Sequence, residues 1–194
     1  RASRLASLVQ QRENASAVAN AAMYAALYGS GHPYGFIELG TEAANRATGR
    51  EDLRRFWAER FVPGHAALIV SGQVELAELR SLVEKAFGAW PSGDAPPVAL
   101  GTPVTTSARL VLVDKPGTPQ TQVRVASIGV PRSTPDYEPI RVMNEALGGL
   151  FSSRINLNLR ERHGYTYGAS SQFSARLGPG PFVVDAAVAT ESTG

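Results

Sequence analysis

The chain has 194 residues, 43% hydrophobic and 19% charged, with a formal net charge of +2 and no cysteine. Its charges are interspersed, without the basic patch or stripe that marks nucleic-acid binding, and no apolar run of 18 residues is present to span a membrane as a helix. The lack of cysteine excludes disulfides and structural Cys-zinc sites and does not separate cytoplasm from periplasm; a bacterial source is expected from the Ala, Arg, Gly and Pro richness, with the periplasm slightly favoured.

Residues 1–28 are Ala-rich and read as helical, with Tyr24, Leu27 and Tyr28 forming an apolar stripe at helical spacing. Gly29 to Gly35 is a loop by its glycines and Pro33, and His32 within it is read as a turn residue that caps or packs. Thr48 and Glu51 have capping-box spacing ahead of a second helix with Leu53, Phe56 and Trp57 on its apolar face. Pro63 bars its continuation, and Ala66 to Val70 predicts a short buried strand. Residues 75–88 predict a third helix, with Leu76, Leu79, Leu82, Val83, Ala86 and Phe87 recurring at helical spacing. Residues 91–108 carry four prolines among small polar residues and read as an exposed, extended linker. The chain is therefore expected to divide into 1–90, a linker over 91–108, and 109–194.

The second piece opens with a predicted strand Arg109–Asp114, a turn at Pro116-Gly117 and a strand Gln120–Ile128. Thr134-Pro135-Asp136 opens a helix that Gly148-Gly149 ends. A further helix runs into Arg160-Glu161-Arg162-His163, with cations in its last turn, where the helix dipole favours them. Gly164 can adopt the left-handed conformation that ends a helix, so the chain reverses into a strand. Alternation places Tyr165 and Tyr167 on one face of that strand. Arg160 and Tyr167 then converge on one surface as a guanidinium fork and a phenol, both able to donate to a carbonyl oxygen; the plainer alternative is an amphipathic helix turning into a half-buried strand. Phe182–Val188 is a last strand. The order of elements gives an α+β class: two-layer domains of largely antiparallel sheet packed with helices.

The run Leu157-Asn158-Leu159-Arg160-Glu161-Arg162-His163-Gly164-Tyr165-Thr166-Tyr167-Gly168 resembles a signature of the pitrilysin/insulinase/mitochondrial-processing-peptidase family of zinc metallopeptidases. In the expected order, Gly31-His32-Pro33-Tyr34-Gly35 with Gly40-Thr41, the helix–Pro–strand unit 51–74 (with Gln73 where Asp is usual) and Phe87-Gly88-Ala89-Trp90-Pro91 resemble other family elements. The resemblance implies two similar domains in sequence, this chain holding the later part of one and the earlier part of the next. Peptide-cutting members carry His-x-x-Glu-His and a further zinc-binding Glu. Here the only histidines are His32, His65 and His163, scattered along the chain. The resemblance would set the motif before residue 1, and the third ligand near Gln10, Gln11 and Glu13, with Gln in the favoured register.

The resemblance implies a non-catalytic subunit or half of a zinc metallopeptidase. It would have no catalytic residue and no metal ligand of its own, zinc lying in a catalytic partner or an upstream segment. Arg160, Tyr167 and Tyr165 would bind an extended peptide, and the partner would be a homologous subunit or domain bearing the zinc motif, as in a dimer. The alternatives are a fragment of an active single-chain zinc endopeptidase, and a structural scaffold subunit. Gly148-Gly149 lacks the strand and Lys of a phosphate loop, and the serines lack a G-x-S-x-G elbow, so neither carries chemistry.

Overall fold

Three strands form one antiparallel sheet in the order β1-β3-β2: β1 is Gln120–Ile128, β2 Thr166–Phe173 and β3 Pro181–Ala189. Val123 lies opposite Ala186 and Arg124 opposite Asp185, so alternation sends the two pairs to opposite faces. On one face Ala169, Ala186 and Val188 are buried, with Val123, Ile155 and Leu159 packed against them. On the other, Arg124 donates to Asn20 Oδ1 at 3.1 Å and Ser16 Oγ at 2.7 Å. Asp185 accepts there from Ser170 Oγ at 2.7 Å. This computed structural model describes residues 1–103 and 107–193. The chain is α+β as its pattern implied, in two compact units: Arg1–Glu42 with Leu100–Gly194, and Ala43–Ala99.

Within the first unit, the helical stretch 1–28 is two helices, α1 (Ala2–Glu13) and α2 (Ala15–Tyr28). Asn14 makes the break: its backbone is extended, and its Oδ1 accepts from the Ala17 N–H at 2.9 Å as an N-cap. The loop after α2 is organised by rings. His32 is buried; its Nδ1 accepts from the Tyr34 N–H at 3.0 Å, so its Nε2 carries the proton and donates to the Gly101 carbonyl at 2.9 Å. Its ring stacks on Tyr28 at 5.0 Å, and the Tyr28 hydroxyl donates to the Pro179 carbonyl at 3.0 Å. The Arg176 guanidinium lies over Tyr24 and Tyr34 at 5.1 and 4.8 Å. His32 thus packs and caps, as a turn histidine does.

The unit Ala43–Ala99 holds most of α3 (Glu42–Ala47), with α4 (Arg50–Arg60) and α5 (Leu76–Phe87). The N-terminus of α4 differs from the expected Thr48–Glu51 box. Thr48 Oγ1 donates back to the Ala44 carbonyl at 2.8 Å, and Asp52 accepts the Gly49 N–H at 2.8 Å instead. That bond, and then Arg55, hold the Asp52 carboxyl below the ordinary aspartate range. The expected buried strand Ala66–Val70 is absent: the segment has no ladder, and Ile69 is 90% exposed. The described regular elements of its unit are all helical, and a β-favouring sequence without a neighbouring strand has no partner for its amides. The expected strand Arg109–Asp114 fails likewise; among the described residues β1 pairs with β3 alone, and Leu110 and Leu112 stand exposed. The helix after Thr134 begins at Tyr137, with Asp136 as its N-cap and Pro135 outside it. The linker carries neither helix nor strand over 91–103 and 107–108, although Ala95 is buried; its residues 104–106 lie outside the described ones.

Burial pushes the Tyr28 phenol up to about 12, against the opposing pull of the Arg176 guanidinium. A raised tyrosine pKa contributes stability that is complete below the unfolded value of 10.0 and is lost as pH rises through about 12. Tyr28→Phe is expected to cost about 1 kcal/mol at neutral pH, the net worth of one hydrogen bond, and to remove this alkaline sensitivity. Denaturant titration of both proteins at pH 7 and pH 11 checks both.

Candidate functional site

The corner between α7 and β2 is built from helix breaks. The helix α6 (Tyr137–Asn144) widens into a π-turn over Glu145–Gly149. There Gly148 lies so close to Ser171 that a Cβ would collide with it. Asn144 reaches across to β2: its Nδ2 donates to the Ser171 carbonyl at 2.9 Å, and its Oδ1 accepts from Ser171 Oγ at 2.8 Å. α7 (Arg154–Asn156) likewise widens at once into a π-helical stretch, Leu157–Arg162. The His163 N–H reaches the Asn158 carbonyl five residues back, the Gly164 N–H caps Arg160, and the Tyr165 N–H bonds the Leu159 carbonyl. Gly164 has φ of 66°, and nothing lies within 4 Å of where its Cβ would be.

Each candidate peptide-binding residue has a definite setting. The Arg160 guanidinium pairs with Glu161 at 3.1 Å and lies 4.4 Å above the Phe151 ring. Tyr165 stacks on His163 at 5.0 Å, with the rings 15° apart. Tyr167 is 90% exposed. The polar and ring contacts of Arg160 go to Glu161 and Phe151, and they do not bring it to Tyr167. The ladder between β2 and β3 runs from Thr166↔Val188 to Ala169↔Ala186 with a register shift between them, so Tyr167 and Gly168 sit in a bulge. A bulge re-aims side chains, and simple alternation no longer relates Tyr167 to Tyr165.

Two buried polar side chains surround the bulge. Thr166 Oγ1 accepts from the Gly168 N–H at 3.1 Å and lies 2.7 Å from the Ala187 carbonyl and 2.8 Å from the Gly168 carbonyl, which share its proton. Asn156, 2% exposed, accepts from the Ala169 N–H at 3.0 Å and donates to the Phe151 carbonyl at 2.6 Å. Sequence reasoning passed over Asn156, Thr166 and Asn144. The available signal was a polar residue inside an apolar run, as at Ile155-Asn156-Leu157. An open groove of about 780 Å³ runs along the same helix, lined by Leu147, Arg154, Ile155, Leu159, Arg162 and Val184 among others. Arg160, Tyr165 and Tyr167 are not among its lining residues.

Among the described residues, no three His, Cys, Asp or Glu side chains stand close enough to hold a metal. His32 already uses both ring nitrogens, and Glu13 is exposed with Lys115 at 3.9 Å. This donor set does not fit a zinc ion.

The sequence profile described as Peptidase M16 inactive domain matches residues 48–194, and the chain belongs to that family. It is 31% identical over 166 residues to a Mycobacterium leprae protein named uncharacterized zinc protease ML0855, covering 84% of this chain and 37% of that protein. It is 32% identical over 173 residues to uncharacterized zinc protease Rv2782c of Mycobacterium tuberculosis, covering 86% and 38%. The chain thus spans well under half the length of these curated relatives. Among solved structures, a peptidase M16 inactive domain from Pseudomonas fluorescens superposes with a TM-score of 0.90 at 26% identity, over 97% of this chain and 45% of that one. A protease from Helicobacter pylori shares the fold, with a TM-score of 0.70 at 21% identity, over 81% of this chain and 38% of that one.

Gly164→Ala is expected to destabilise the protein by about 1 kcal/mol. The space is open, so the cost is that of a side chain at positive φ. Equilibrium urea unfolding measures it, and Gly164→Asn, which tolerates that conformation better, should cost less.

Proposed function

We propose that this chain belongs to the non-catalytic half of a zinc metallopeptidase, binding an extended peptide and offering Arg160 and Tyr167, with Tyr165 beside them, to a partner's active site. Residues 1–90 would be the later part of a first domain, 91–108 the linker, and 109–194 the earlier part of a second, substrate-contacting domain. The observation that carries the reading is the presentation of Tyr167: a large amphipathic ring 90% exposed on a bulge, three residues past the glycine that ends the Arg160 helix. A phenol left in water with no packing role is free to donate to a ligand.

The Arg160–Glu161 pair is what a purely structural role would show, and its magnitude leaves Arg160 available for another partner. The Arg160–Glu161 pair is partly exposed, with 34% and 54% side-chain accessibility, and such a pair contributes only about 0–1 kcal/mol. A donor aimed at an oxyanion is worth roughly 3–4 kcal/mol. Arg160 can therefore exchange Glu161 for a scissile carbonyl at little cost. The partner would be a homologous subunit or domain bearing the zinc motif. The relatives' name, zinc protease, favours a second reading, in which the chain is a segment of an active single-chain endopeptidase whose zinc motif lies elsewhere in the polypeptide.

The test uses the full protein assembled with its zinc-bearing counterpart and a fluorogenic peptide. Arg160→Ala and Tyr167→Phe are expected to lower kcat and kcat/KM together, each by about 100-fold if the lost donor faces the oxyanion, with circular dichroism unchanged. Unchanged hydrolysis in both variants would return Arg160 and Tyr167 to ordinary surface residues. Elemental analysis of the isolated chain is expected to find no stoichiometric zinc after dialysis, and zinc retained at one per chain would sink the assignment of a metal-free half.

A further inference from the structure

We propose that the buried pair Asn156 and Thr166 are the positioning residues of the corner, Asn156 tying the platform of Arg160 to the bulge of Tyr167. The proposal rests on the Arg160–Tyr167 reading for its functional consequence, and on geometry alone for its structural one.

Asn156 Nδ2 holds the Phe151 carbonyl at 2.6 Å, and the Phe151 ring is the surface on which the Arg160 guanidinium lies at 4.4 Å. Asn156 Oδ1 holds the Ala169 N–H at 3.0 Å, and Ala169 is the residue at which the β2–β3 ladder resumes after the bulge. The bulge itself is closed from inside by Thr166, whose hydroxyl takes the Gly168 N–H and returns its proton to the Ala187 and Gly168 carbonyls. The amides of Gly168 and Ala169, which come after Tyr167 in the chain, are therefore bonded by these two side chains.

Neither side chain is exposed, at 2% for Asn156 and 7% for Thr166, so neither touches a ligand directly. Their chemistry is specific. The Asn156 amide donates and accepts in one plane without carrying a charge, and the Thr166 hydroxyl both accepts from and donates to the backbone of the bulge. An apolar replacement of either leaves buried backbone groups unpaired, whereas a conservative one restores them. Two sets of hydrogen bonds, from Asn156 and from Thr166, thus meet on the adjacent amides Gly168 and Ala169, and the Asn156 set extends to the Phe151 segment under Arg160.

The experiment compares Thr166→Val, which removes the hydroxyl at similar volume, with Thr166→Ser, which keeps it, and adds Asn156→Ala. In the full protein, amide exchange at Gly168 should quicken about tenfold in Thr166→Val and at Ala169 in Asn156→Ala, as one hydrogen bond is lost, with Thr166→Ser near wild type and the amides of Val123 and Ala186 unmoved. In the assembled peptidase, Thr166→Val should lower kcat with little change in KM, and should lower it no further once Tyr167→Phe is present, because Thr166 acts through Tyr167. Wild-type exchange at Gly168 in Thr166→Val overturns the proposal, as does an equal fall in kcat on the Tyr167→Phe background. If Tyr167→Phe is itself silent in hydrolysis, the catalytic reading falls and the exchange measurements still decide whether these residues set the bulge. Should Asn156→Ala not fold, the Thr166→Val and Thr166→Ser pair decides the question, with Asn156→Asp testing whether the oxygen alone protects Ala169.

Discussion

A primary amide can donate and accept at once, and the corner of this protein depends on Asn156 doing both while almost wholly buried. A buried amide left half-paired would cost roughly 1–3 kcal/mol for each unmet group. The loop at Phe151 and the strand at Ala169 must therefore come to it together, and that requirement fixes where α7 ends relative to β2. Asn144 makes the same demand one helix earlier, bonding Ser171 through both ends of its amide. Two asparagines, from two consecutive helices, thus lock the same edge strand. Apolar contact is less directional, and the fully buried residues on this face, Ala169, Ala186 and Val188, are small, with the larger Ile155 and Leu159 only partly buried against them.

The two π-turns belong to the same arrangement. Leu150 N–H bonds Glu145 and His163 N–H bonds Asn158, each closing a five-residue step at a helix end. Widened turns of this kind cost helix geometry and recur where a side chain must be re-aimed. In a regular α-helix, Asn156 and Arg160 would sit one above the other on a single face. Here Asn156 is buried against the sheet while Arg160, four residues later, is partly exposed and folded back over Phe151. The widening separates an inward amide from an outward cation within one turn. On the opposite face of the sheet, Arg124 bonds Ser16 and Asn20 of α2, and Ser170 of β2 bonds Asp185 of β3.

Much of this was legible in the chain. Gly164 could be read as a left-handed helix stop because no other residue takes positive φ so cheaply, and β1 and β3 carry valines and other β-favouring residues, while β2 follows from the chain reversal at Gly164. The bulge was only partly legible. Period-two alternation set Tyr165 and Tyr167 on one face, whereas Gly168, a glycine inside a strand, is the one residue of Thr166-Tyr167-Gly168-Ala169 that marks a bulge. The failed strands have a different cause. Ala66–Val70 and Arg109–Asp114 have every local preference for extended backbone, and their sequences do not encode whether a partner strand is present to receive their amides. Asn156 was invisible for a third reason: a polar residue in an apolar run reads as a blemish until its partners are known.

The unit Ala43–Ala99 shows what local pattern can and cannot supply. Its helices α4 and α5 are set by sequence: Asp52 caps the first, and the second carries apolar residues at helical spacing. Yet Val62 and Ala95 are its buried hydrophobics among the described residues, while Leu53, Phe56, Trp57, Leu76, Leu82 and Phe87 are each at least half exposed. Ring pairs such as Trp57 on Phe61 at 4.3 Å, and the Trp90 Nε1–H bond to the Phe61 carbonyl at 3.2 Å, hold the helix end locally. Such contacts are worth about 1 kcal/mol each, small beside the roughly 1–2 kcal/mol of backbone entropy lost per ordered residue. Helix propensity and capping therefore shape this segment more than the small core that its own residues build.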